Sequence, residues 1–494
     1  MKTSRFLCLL SITSLLAACG GGGGSGGGFT ATPASTPTPS PAATTTPTPT
    51  ASTGCTLRER QTWAAAQLNE WYLFPDTLPA SLDPSPYASV DAYIDALTAT
   101  ARAQNKDRYF TYLTSIAAEN AYYASGSSAG YGFRLGYDSA AGRIFVAESF
   151  ENTPALTAGI DRGTEIVAIG TSAASLRTVS AILAAEGTDG VTNALGPSTT
   201  GTTRTLRVTD AAGTRTVTIA KAEYALTPVS SRYGARILDD GGTKIGYVNL
   251  RSFIETADPA LRSAFAQFRA AGVTKLIVDL RYNGGGLISI AELMGDLLGG
   301  NRSTSDVFDY VTFRPEKSAE NTTRYFRPQA ESVSPIKIAF IGTGGTASAS
   351  ELVMNAFIPY LHANAALIGA NTYGKPVGQI ALDRTPCDDR LRVIALAVQN
   401  SARQGAYYNG LAGTMEASCR AVDDISHPLG DPAEASTRVA LDYLAGRSCT
   451  AISASTGAAT ASSERVRLTG SQPEQGLLVP SQPTPMQREV PGAY

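Results

Sequence analysis

The feature that most limits how this chain can fold is an alternation of apolar runs and helical patterns between residues 240 and 448. Short apolar runs are typical of buried strands, and apolar residues that recur every third or fourth position are typical of helices. The pattern predicts strands at Lys244–Leu250, Lys275–Leu280, Ile336–Ile341 and Arg392–Val398 and helices at 258–271, 287–298 and 349–361. It therefore predicts an α/β fold in which helices pack on an open sheet.

Residues 336–379 place a serine and a lysine on successive strand-end loops of this fold. A run of small residues follows the strand Ile336–Ile341, and Ser348 stands where the helical pattern begins. A second short strand near Ala366–Gly369 leads into the loop that carries Lys375. This arrangement can bring a nucleophile next to a base.

Serine becomes a nucleophile only when a base removes its proton, and histidine is the usual base. The chain has two histidines, of which His427 lies in a Pro/Gly-rich stretch and His362 ends the helix that Ser348 begins. The helix would separate His362 from Ser348 by roughly 20 Å. Lys375 is the better base if burial lowers its pKa, and Gln379 can orient its amine by a hydrogen bond.

An acyl-transfer site also needs fixed N–H donors for the oxyanion. Ala349 is at the start of the predicted helix, where the N–H groups are free and the helix dipole favours negative charge. The glycine run 284–286, after the strand Lys275–Leu280, would let backbone amides approach a substrate closely. The alternative for the glycine run is an ordinary strand-to-helix turn.

Three motifs in this order resemble those of the C-terminal processing (tail-specific) serine peptidases. They are Asp-Leu-Arg-x-Asn-Gly-Gly-Gly at 279–286, Thr-Ala-Ser-Ala-Ser-Glu at 346–351 and Tyr-Gly-Lys-x-x-x-Gln at 373–379. The resemblance extends over residues 57–448 and implies a crotonase/ClpP-like sheet in a catalytic domain at 227–449. Pro376 departs from the family, which usually has glycine after the lysine.

The resemblance implies a role for each matching residue. Ser348 would be the nucleophile, Lys375 the general base and Gln379 its orienting partner. The oxyanion donors would be Gly285 and Ala349, with Gly284 beside them, and Ser350 and Glu351 would have supporting roles.

Residues 369–375 also match the start of a P-loop, but Pro376 stands where a Mg²⁺-binding hydroxyl is needed. Nucleotide binding is therefore disfavoured, and two histidines argue against a multi-histidine metal site. We expect no cofactor and no metal. Lys and Arg total 40 and Asp and Glu total 42, so no strong field favours nucleic acid.

Residues 126–226 read as a β-rich domain, preceded by a helical region at 55–125. Short strands and the run Ala158–Ile169 resemble a PDZ domain. Tyr131, Gly132 and Phe133 stand where that family binds a peptide carboxylate through backbone N–H groups, while the peptide adds a strand to the sheet. The alternative is a small β-domain without a ligand.

The N-terminus resembles a bacterial lipoprotein signal. A basic start and an apolar run end in Leu16-Ala17-Ala18-Cys19, which implies cleavage before Cys19 and a lipid anchor on it. By the same resemblance, Gly20 and Gly21 after the cysteine imply the outer membrane of a Gram-negative envelope, with the protein facing the periplasm. The alternative is an ordinary secretory signal. Residues 20–54 read as a disordered linker and 450–494 as a disordered tail.

Four cysteines remain after Cys8 and Cys19, and an exported chain favours two disulfides. Of the three possible pairings we favour Cys387–Cys419 and Cys55–Cys449, because the latter would join the start of the folded region to its end. The alternative is four free, buried thiols.

The expected function is an exported serine endopeptidase that cleaves proteins or peptides near unstructured C-termini by a Ser–Lys acyl-enzyme mechanism. The alternative is a non-catalytic envelope protein that binds peptides or hydrophobic ligands on the same fold. The complete set of Ser348, Lys375 and Gln379 favours the enzyme, because a binding protein does not need all three.

Overall fold

The computed structural model describes residues 54–453 and 476–494. The predicted signal, Cys19 and the linker up to residue 53 lie outside the described residues, as does the part of the predicted tail from 454 to 475. Across the described residues, the helices are all too short or too polar to span a bilayer.

The N-terminal region is mostly helical and packs against a sheet that belongs to a later part of the chain. Its elements are α1 (Leu57–Trp71), α2 (Val90–Leu97), α3 (Ala99–Ala103), β1 (Tyr112–Ser115) and α4 (Ile116–Ser125). The α1 helix begins after Thr56, whose hydroxyl accepts the N–H of Glu59 while Glu59 accepts the N–H of Thr56. Leu68 and Ile94 pack against Leu391 and Val393 of the later sheet.

The β-rich domain follows as a twisted antiparallel sheet with one long helix. Its elements are β2 (Ser127–Gly130), β3 (Phe133–Asp138), β4 (Arg143–Ser149), α5 (Pro154–Thr157), β5 (Glu165–Gly170), β6 (Arg177–Thr178), α6 (Val179–Leu195), β7 (Thr203–Asp210), β8 (Gly213–Ala220) and β9 (Ala222–Ala225). The main strand order is β3-β4-β5-β7-β8, and β2 pairs separately with β9. The α6 helix is interrupted at Gly187, which has a φ of 66°.

The rest of the chain to residue 453 contributes the elements of the predicted α/β fold. They are β10 (Ala235–Asp240), β11 (Thr243–Asn249), α7 (Ala257–Ala270), β12 (Lys275–Asp279), α8 (Ile288–Leu298), β13 (Val307–Phe313), β14 (Thr322–Tyr325), β15 (Lys337–Gly342), α9 (Ala349–Leu361), β16 (Ala365–Gly369), β17 (Val377–Arg384), β18 (Asp389–Gln399), β19 (Ala417–Arg420) and α10 (Ala435–Leu444).

A six-stranded sheet in the order β10-β11-β12-β15-β16-β19 forms the centre of this region. Every pair from β11 to β19 is parallel, and only β10 is antiparallel to its neighbour. Apolar side chains from α7, α8 and α9 cover one face of the sheet, and α10 packs on the other. The prediction of an α/β fold with an open sheet is confirmed.

The strand predicted at Arg392–Val398 does not join this central sheet. It lies in β18, which belongs to a second, antiparallel sheet in the order β1-β18-β13-β14, with β17 also paired to β18. Only a tight turn separates β17 from β18, and so short a connection permits an antiparallel hairpin but not a parallel crossover. We call this five-stranded sheet the second sheet.

The prediction of a disordered tail is wrong for residues 476–494. This segment forms β20 (Gly476–Leu477) and α11 (Pro485–Glu489), and β20 pairs antiparallel with β3. Leu478, Met486 and Val490 are buried. Ser, Gln and Pro surround these apolar residues, so the sequence shows no clear strand or helix pattern here. The residues that bury them come from distant parts of the chain.

The predicted cysteine pairing is also wrong. Cys55 is bonded to Cys387, and Cys419 is bonded to Cys449. Cys387 follows β17 on the second sheet, against which the N-terminal helices pack, so its partner is Cys55. Cys419 lies on β19, the edge strand of the central sheet, and the chain returns beside β19 after α10.

Candidate active site

Ser348 stands at a strained turn between β15 and α9. Its φ of 56° is unusual for a residue with a side chain. The turn is held from two sides, because the Thr346 hydroxyl donates to the Leu280 carbonyl at 2.8 Å and the Ala347 N–H donates to the Asn283 carbonyl at 3.0 Å. The turn is therefore fixed against the loop that follows β12.

The glycine run after β12 lies directly against the serine. Gly285 has a φ of 124°, and a Cβ on it would come within 2.8 Å of the Ser348 Cβ. A larger residue at position 285 would therefore collide with the serine. This close contact explains why glycine is needed here, and the run is more than an ordinary turn.

Lys375 and Gln379 are in contact, as their spacing suggested. Lys375 Nζ donates to Gln379 Oε1 at 2.9 Å, and Gln379 Nε2 donates in turn to the Phe110 carbonyl. Lys375 Nζ also lies 5.0 Å from the centroid of the Phe110 ring. Burial lowers the pKa of Lys375, while the Glu489 carboxylate acts in the opposite direction. A lowered pKa increases the fraction of neutral amine available as a base.

Glu351 connects the serine turn to the lysine loop. Its buried carboxylate accepts the Ser348 N–H at 3.0 Å, the Gly374 N–H at 2.7 Å and the Lys375 N–H at 2.8 Å. The Thr372 hydroxyl donates to it at 2.6 Å. Burial raises the pKa of Glu351. The supporting role expected for Glu351 thus consists of joining two loops whose backbones carry the serine and the lysine.

The serine and the lysine are not joined by a hydrogen bond in the described part of the chain, where Lys375 Nζ donates to Gln379. Lys375 lines a cavity of about 380 Å³ together with Gly284 and with Ala347, the residue before the serine. Ser348 and Lys375 lie on loops that Glu351 holds together, but they do not make the hydrogen bond that proton transfer requires.

Two of the three candidate oxyanion donors already have acceptors. The Gly285 N–H donates to Asn283 Oδ1 at 2.9 Å, and the Gly284 N–H donates to the Glu489 carbonyl at 2.8 Å. The Ala349 N–H is the first of α9, where no carbonyl of the helix itself can accept it. Ala349 is thus the best placed donor in this arrangement.

The loop expected to bind a peptide carboxylate contacts the last residue of the sequence. The Gly132 N–H donates to the Tyr494 carbonyl oxygen, and the Tyr494 N–H donates to the Phe133 carbonyl, both at 2.9 Å. Tyr131 has a different role, because its side chain is buried and its hydroxyl donates to the Leu195 carbonyl at 2.9 Å.

Neither histidine belongs to this site. His362 is paired with Glu416 at 2.8 Å, and His427 is paired with Asp424 at 2.8 Å. Within residues 54–453 and 476–494, His, Cys, Asp and Glu side chains form no group of three that could hold a metal ion.

Some residues of the site carry no sequence motif. The Arg108 guanidinium donates to the carbonyl of Gly374 at 2.6 Å and to that of Tyr373, which holds the lysine loop from the side of the N-terminal region. Glu434 accepts two hydrogen bonds from Arg281, at 2.8 and 2.9 Å, and so anchors the strand end that leads to the glycine run. Both residues are distant in sequence from the motifs, so no local pattern could have identified them.

Comparison with known proteins agrees with this geometry. Residues 244–404, which include the serine, the lysine and the glycine run, match the model of peptidase family S41. The chain is 29% identical over 270 residues to the C-terminal processing peptidase of Tetradesmus obliquus, covering 52% of this chain and 54% of that protein. It is 28% identical over 262 residues to carboxyl-terminal-processing peptidase 3 of Arabidopsis thaliana, covering 51% and 46%.

The fold is also found in a solved structure. A crystal structure of a Bacteroides fragilis protein assigned to the S41 proteases superposes with a TM-score of 0.60 and 21% identity, covering 78% of this chain and 97% of that one. The chain spans about half the length of the curated relatives it matches. The fold and site are therefore similar to those of serine-type peptidases. More particularly, residues 244–404 resemble the domain that defines peptidase family S41.

Proposed function

We propose that this protein is a serine endopeptidase in which Ser348 is the nucleophile and Lys375 the general base. The observation that carries the proposal is the pairing of Lys375 Nζ with Gln379 Oε1 at 2.9 Å, beside a strained serine at a helix start. Glu351 joins the backbones of both residues and so holds the serine turn and the lysine loop together.

In the proposed reaction, neutral Lys375 takes the proton of Ser348 Oγ while the oxygen attacks a peptide carbonyl. The Ala349 N–H and an N–H of the glycine run receive the negative charge that develops on the carbonyl oxygen. The Lys375 ammonium then returns the proton to the leaving amine, and water hydrolyses the acyl-enzyme with the lysine again as base. The step needs no metal or cofactor.

The proposed substrates are proteins or peptides with unstructured C-termini, which the β-rich domain would capture in the manner of a PDZ domain. The pairing of β20 with β3 supports this, because it demonstrates that the β3 edge accepts an added strand. The contact of the Gly132 N–H with the Tyr494 carbonyl oxygen supports a role of that loop in binding a polypeptide backbone.

We further propose that the protein is exported and anchored by lipid on Cys19, in the outer membrane of a Gram-negative cell and facing the periplasm. The two disulfides support an oxidising compartment. Metabolic labelling with a palmitate analogue tests the anchor. We expect labelling of the full chain and none of Cys19→Ser, and equal labelling of both would contradict the anchor.

A second function, binding without cleavage, is favoured by one observation. The Gly284 N–H already donates to the Glu489 carbonyl. In the described part of the chain, Lys375 Nζ donates to Gln379 and makes no hydrogen bond with Ser348. A non-catalytic peptide-binding protein would retain such an arrangement permanently, whereas an enzyme would leave it when substrate binds.

Hydrolysis of an unfolded protein by the purified chain separates the two functions. We expect cleavage by the parent protein and a loss of about 10³-fold or more in Ser348→Ala and in Lys375→Ala. The exposed Ser198→Ala and Lys244→Ala are matched controls that should keep the parent rate.

The pH profile adds an independent test of the base. The rate should rise with pH, because only the neutral amine accepts a proton. The pH of this rise should lie below the usual pKa range of a lysine, because burial lowers the pKa of Lys375. Full activity in a folded Lys375→Ala protein would exclude the dyad, and no cleavage by the parent under any condition would favour the binding protein.

A further inference from the structure

Segment 476–494 covers the β3 edge of the sheet in the β-rich domain. Antiparallel pairing joins β20 to β3, and the Leu478 N–H donates to the Leu135 carbonyl at 2.9 Å. The chain then returns along the same strand, where the Leu135 N–H donates to the Gly492 carbonyl at 2.8 Å and Tyr494 bonds to both sides of Gly132–Phe133. This edge is thus hydrogen-bonded to the segment along most of its length.

Apolar side chains of the segment are buried in pockets that other regions form. Met486, Val490 and Ala493 pack in a cluster formed by five residues of the neighbouring regions, namely Tyr122, Phe150, Tyr224, Leu226 and Ile254. The Tyr494 ring lies in the core of the β-rich domain, and its hydroxyl is 2.9 Å from the Thr192 hydroxyl. Burial of this kind favours a specific docked position for the segment over a loose association.

Between these two contacts the segment crosses the catalytic cleft. The Glu489 carbonyl accepts the Gly284 N–H at 2.8 Å, and the Arg488 guanidinium lies 3.4 Å from the centroid of the Tyr112 ring. Leu477 packs closely against the loop before the serine. A Cβ on Gly345 of that loop would lie only 2.7 Å from Leu477 Cδ1. Residues 487–489 of the segment line the same cavity as Lys375.

We propose that segment 476–494 is an intramolecular ligand of the β3 edge and the catalytic cleft, which a substrate polypeptide must displace before it is cut. The proposal rests on the proposed peptidase function. The physical reason is exclusion: the β3 edge pairs with one strand at a time on that side, and the Gly284 N–H cannot serve Glu489 and a substrate oxyanion together.

The segment is held as an inhibitor and not as a substrate. The carbonyl that accepts the Gly284 N–H belongs to Glu489, the last residue of the short helix α11, so at this contact the segment is helical and not an extended strand. The buried Glu489 carboxylate, which accepts the Tyr123 hydroxyl at 2.9 Å, also favours the charged, non-basic form of Lys375. Release of the segment would remove both obstacles at once.

The tether makes such a ligand effective even when its intrinsic affinity is weak. A covalently linked segment has an effective concentration on the order of millimolar at its site. A free substrate competes only during the fraction of time in which the segment is displaced, so its apparent affinity falls by that fraction. Loosening the segment should therefore increase binding and cleavage together.

Peptide binding tests the proposal without any need for catalysis. In the full Ser348→Ala chain we would titrate a fluorescent synthetic peptide with the sequence of residues 476–494 and compare it with the same chain carrying Val490→Asp. We expect binding at least about tenfold tighter with Val490→Asp, because the charged side chain expels the segment from its apolar cluster. The same charge on an exposed valine outside the segment, in Val422→Asp, should leave binding like that of the parent.

A cleavable linker tests the proposal without substituting any described residue. A site for a specific protease would be inserted between residues 465 and 466, outside the described residues. After the cut, dilution should release the segment and raise the hydrolysis of an unfolded protein by about tenfold, and added peptide 476–494 should reverse the increase.

The two readouts separate this inference from the proposed function. Peptide binding that depends on the segment supports the inference even if no form of the protein cleaves a substrate. A folded cut protein with an unchanged rate, together with peptide binding that is the same in the parent and in Val490→Asp, would overturn it.

Discussion

The proposed nucleophile and the proposed base are supported by different parts of the molecule. Ser348 follows β15, and the glycine run follows β12, so both lie at the ends of adjacent parallel strands of the central sheet. Lys375 instead lies between β16 and β17, and its partner Gln379 rests on Phe110 of the N-terminal region. Ser348 is thus placed within one sheet, whereas Lys375 is placed only when the second sheet and the N-terminal region pack together.

The difference explains how such a site can be switched. A serine turn that is bonded to its neighbouring strand end is rigid, but a lysine loop that depends on contacts between regions can shift. Glu351 links the serine turn to the lysine loop, because it accepts N–H groups from both. Changes at the link and in the second sheet should therefore affect the base more than the nucleophile.

The largest effect is expected from loss of the link. Glu351→Ala leaves four donors without their acceptor in a buried position, which should lower the free energy of unfolding by about 3 kcal/mol and the rate by about 100-fold or more. Glu351→Gln retains an acceptor oxygen and should lose less of both. Urea unfolding and steady-state hydrolysis measure the two effects, and an unchanged rate in Glu351→Ala would show that the serine turn and the lysine loop are positioned independently.

The two disulfides provide a comparison of the two sheets. Cys55–Cys387 joins the N-terminal region to the second sheet across 332 residues, and Cys419–Cys449 closes a loop of 30 residues on the central sheet. Replacing the first pair by serine should cost about 5 kcal/mol of stability and should also lower the rate, since the proposed base is supported there. Replacing the second pair should cost about 3 kcal/mol with little change in rate in the folded protein. Equal effects on the rate would contradict the division between the sheets.

A buried carboxyl at the junction of the sheets gives a smaller, pH-dependent effect. Asp309 on β13 faces Leu352 and Asn355 of α9, and neither of its carboxylate oxygens has a hydrogen-bond partner in the described part of the chain. Burial raises the pKa of Asp309 to about 7. The folded state then binds a proton that the unfolded state releases between about pH 4 and 7, so stability falls as the pH rises through that window.

Asp309→Asn should remove this dependence and stabilise the protein at pH 8 by on the order of 2 kcal/mol. Thermal unfolding between pH 5 and 8 measures it, with the exposed Glu255→Gln as a control that should follow the parent. A parent whose stability is flat over this range would contradict the raised pKa.

The smallest effect is expected from the orienting residue. Gln379→Ala removes the acceptor of Lys375 Nζ and should lower the rate by about tenfold. The amide oxygen favours the ammonium form, so its loss should also move the rising limb of the pH–rate profile to lower pH. A purely structural role would lower the rate without moving the profile.

The sequence predicted the parts of the site that are local and missed those that depend on contacts between regions. Ser348, Gly285 and Gln379 are recognisable because strand, turn and helix patterns and short spacings mark them. Arg108 and Glu489 act on the lysine from remote positions and have no such pattern. The β18 strand was recognised as a strand but assigned to the wrong sheet, since an apolar run does not specify its neighbours.

By itself the sequence determined the α/β fold, the serine turn against the glycine run, and the lysine with its orienting glutamine. These features follow from residue order, because periodicity, chain stiffness and small-residue turns act over a few positions. Only the tertiary structure decided which cysteines pair, which sheet supports the base and where residues 476–494 lie. Those outcomes depend on burying apolar surface between segments far apart in the chain, and the free energy of that burial is a property of the packed whole.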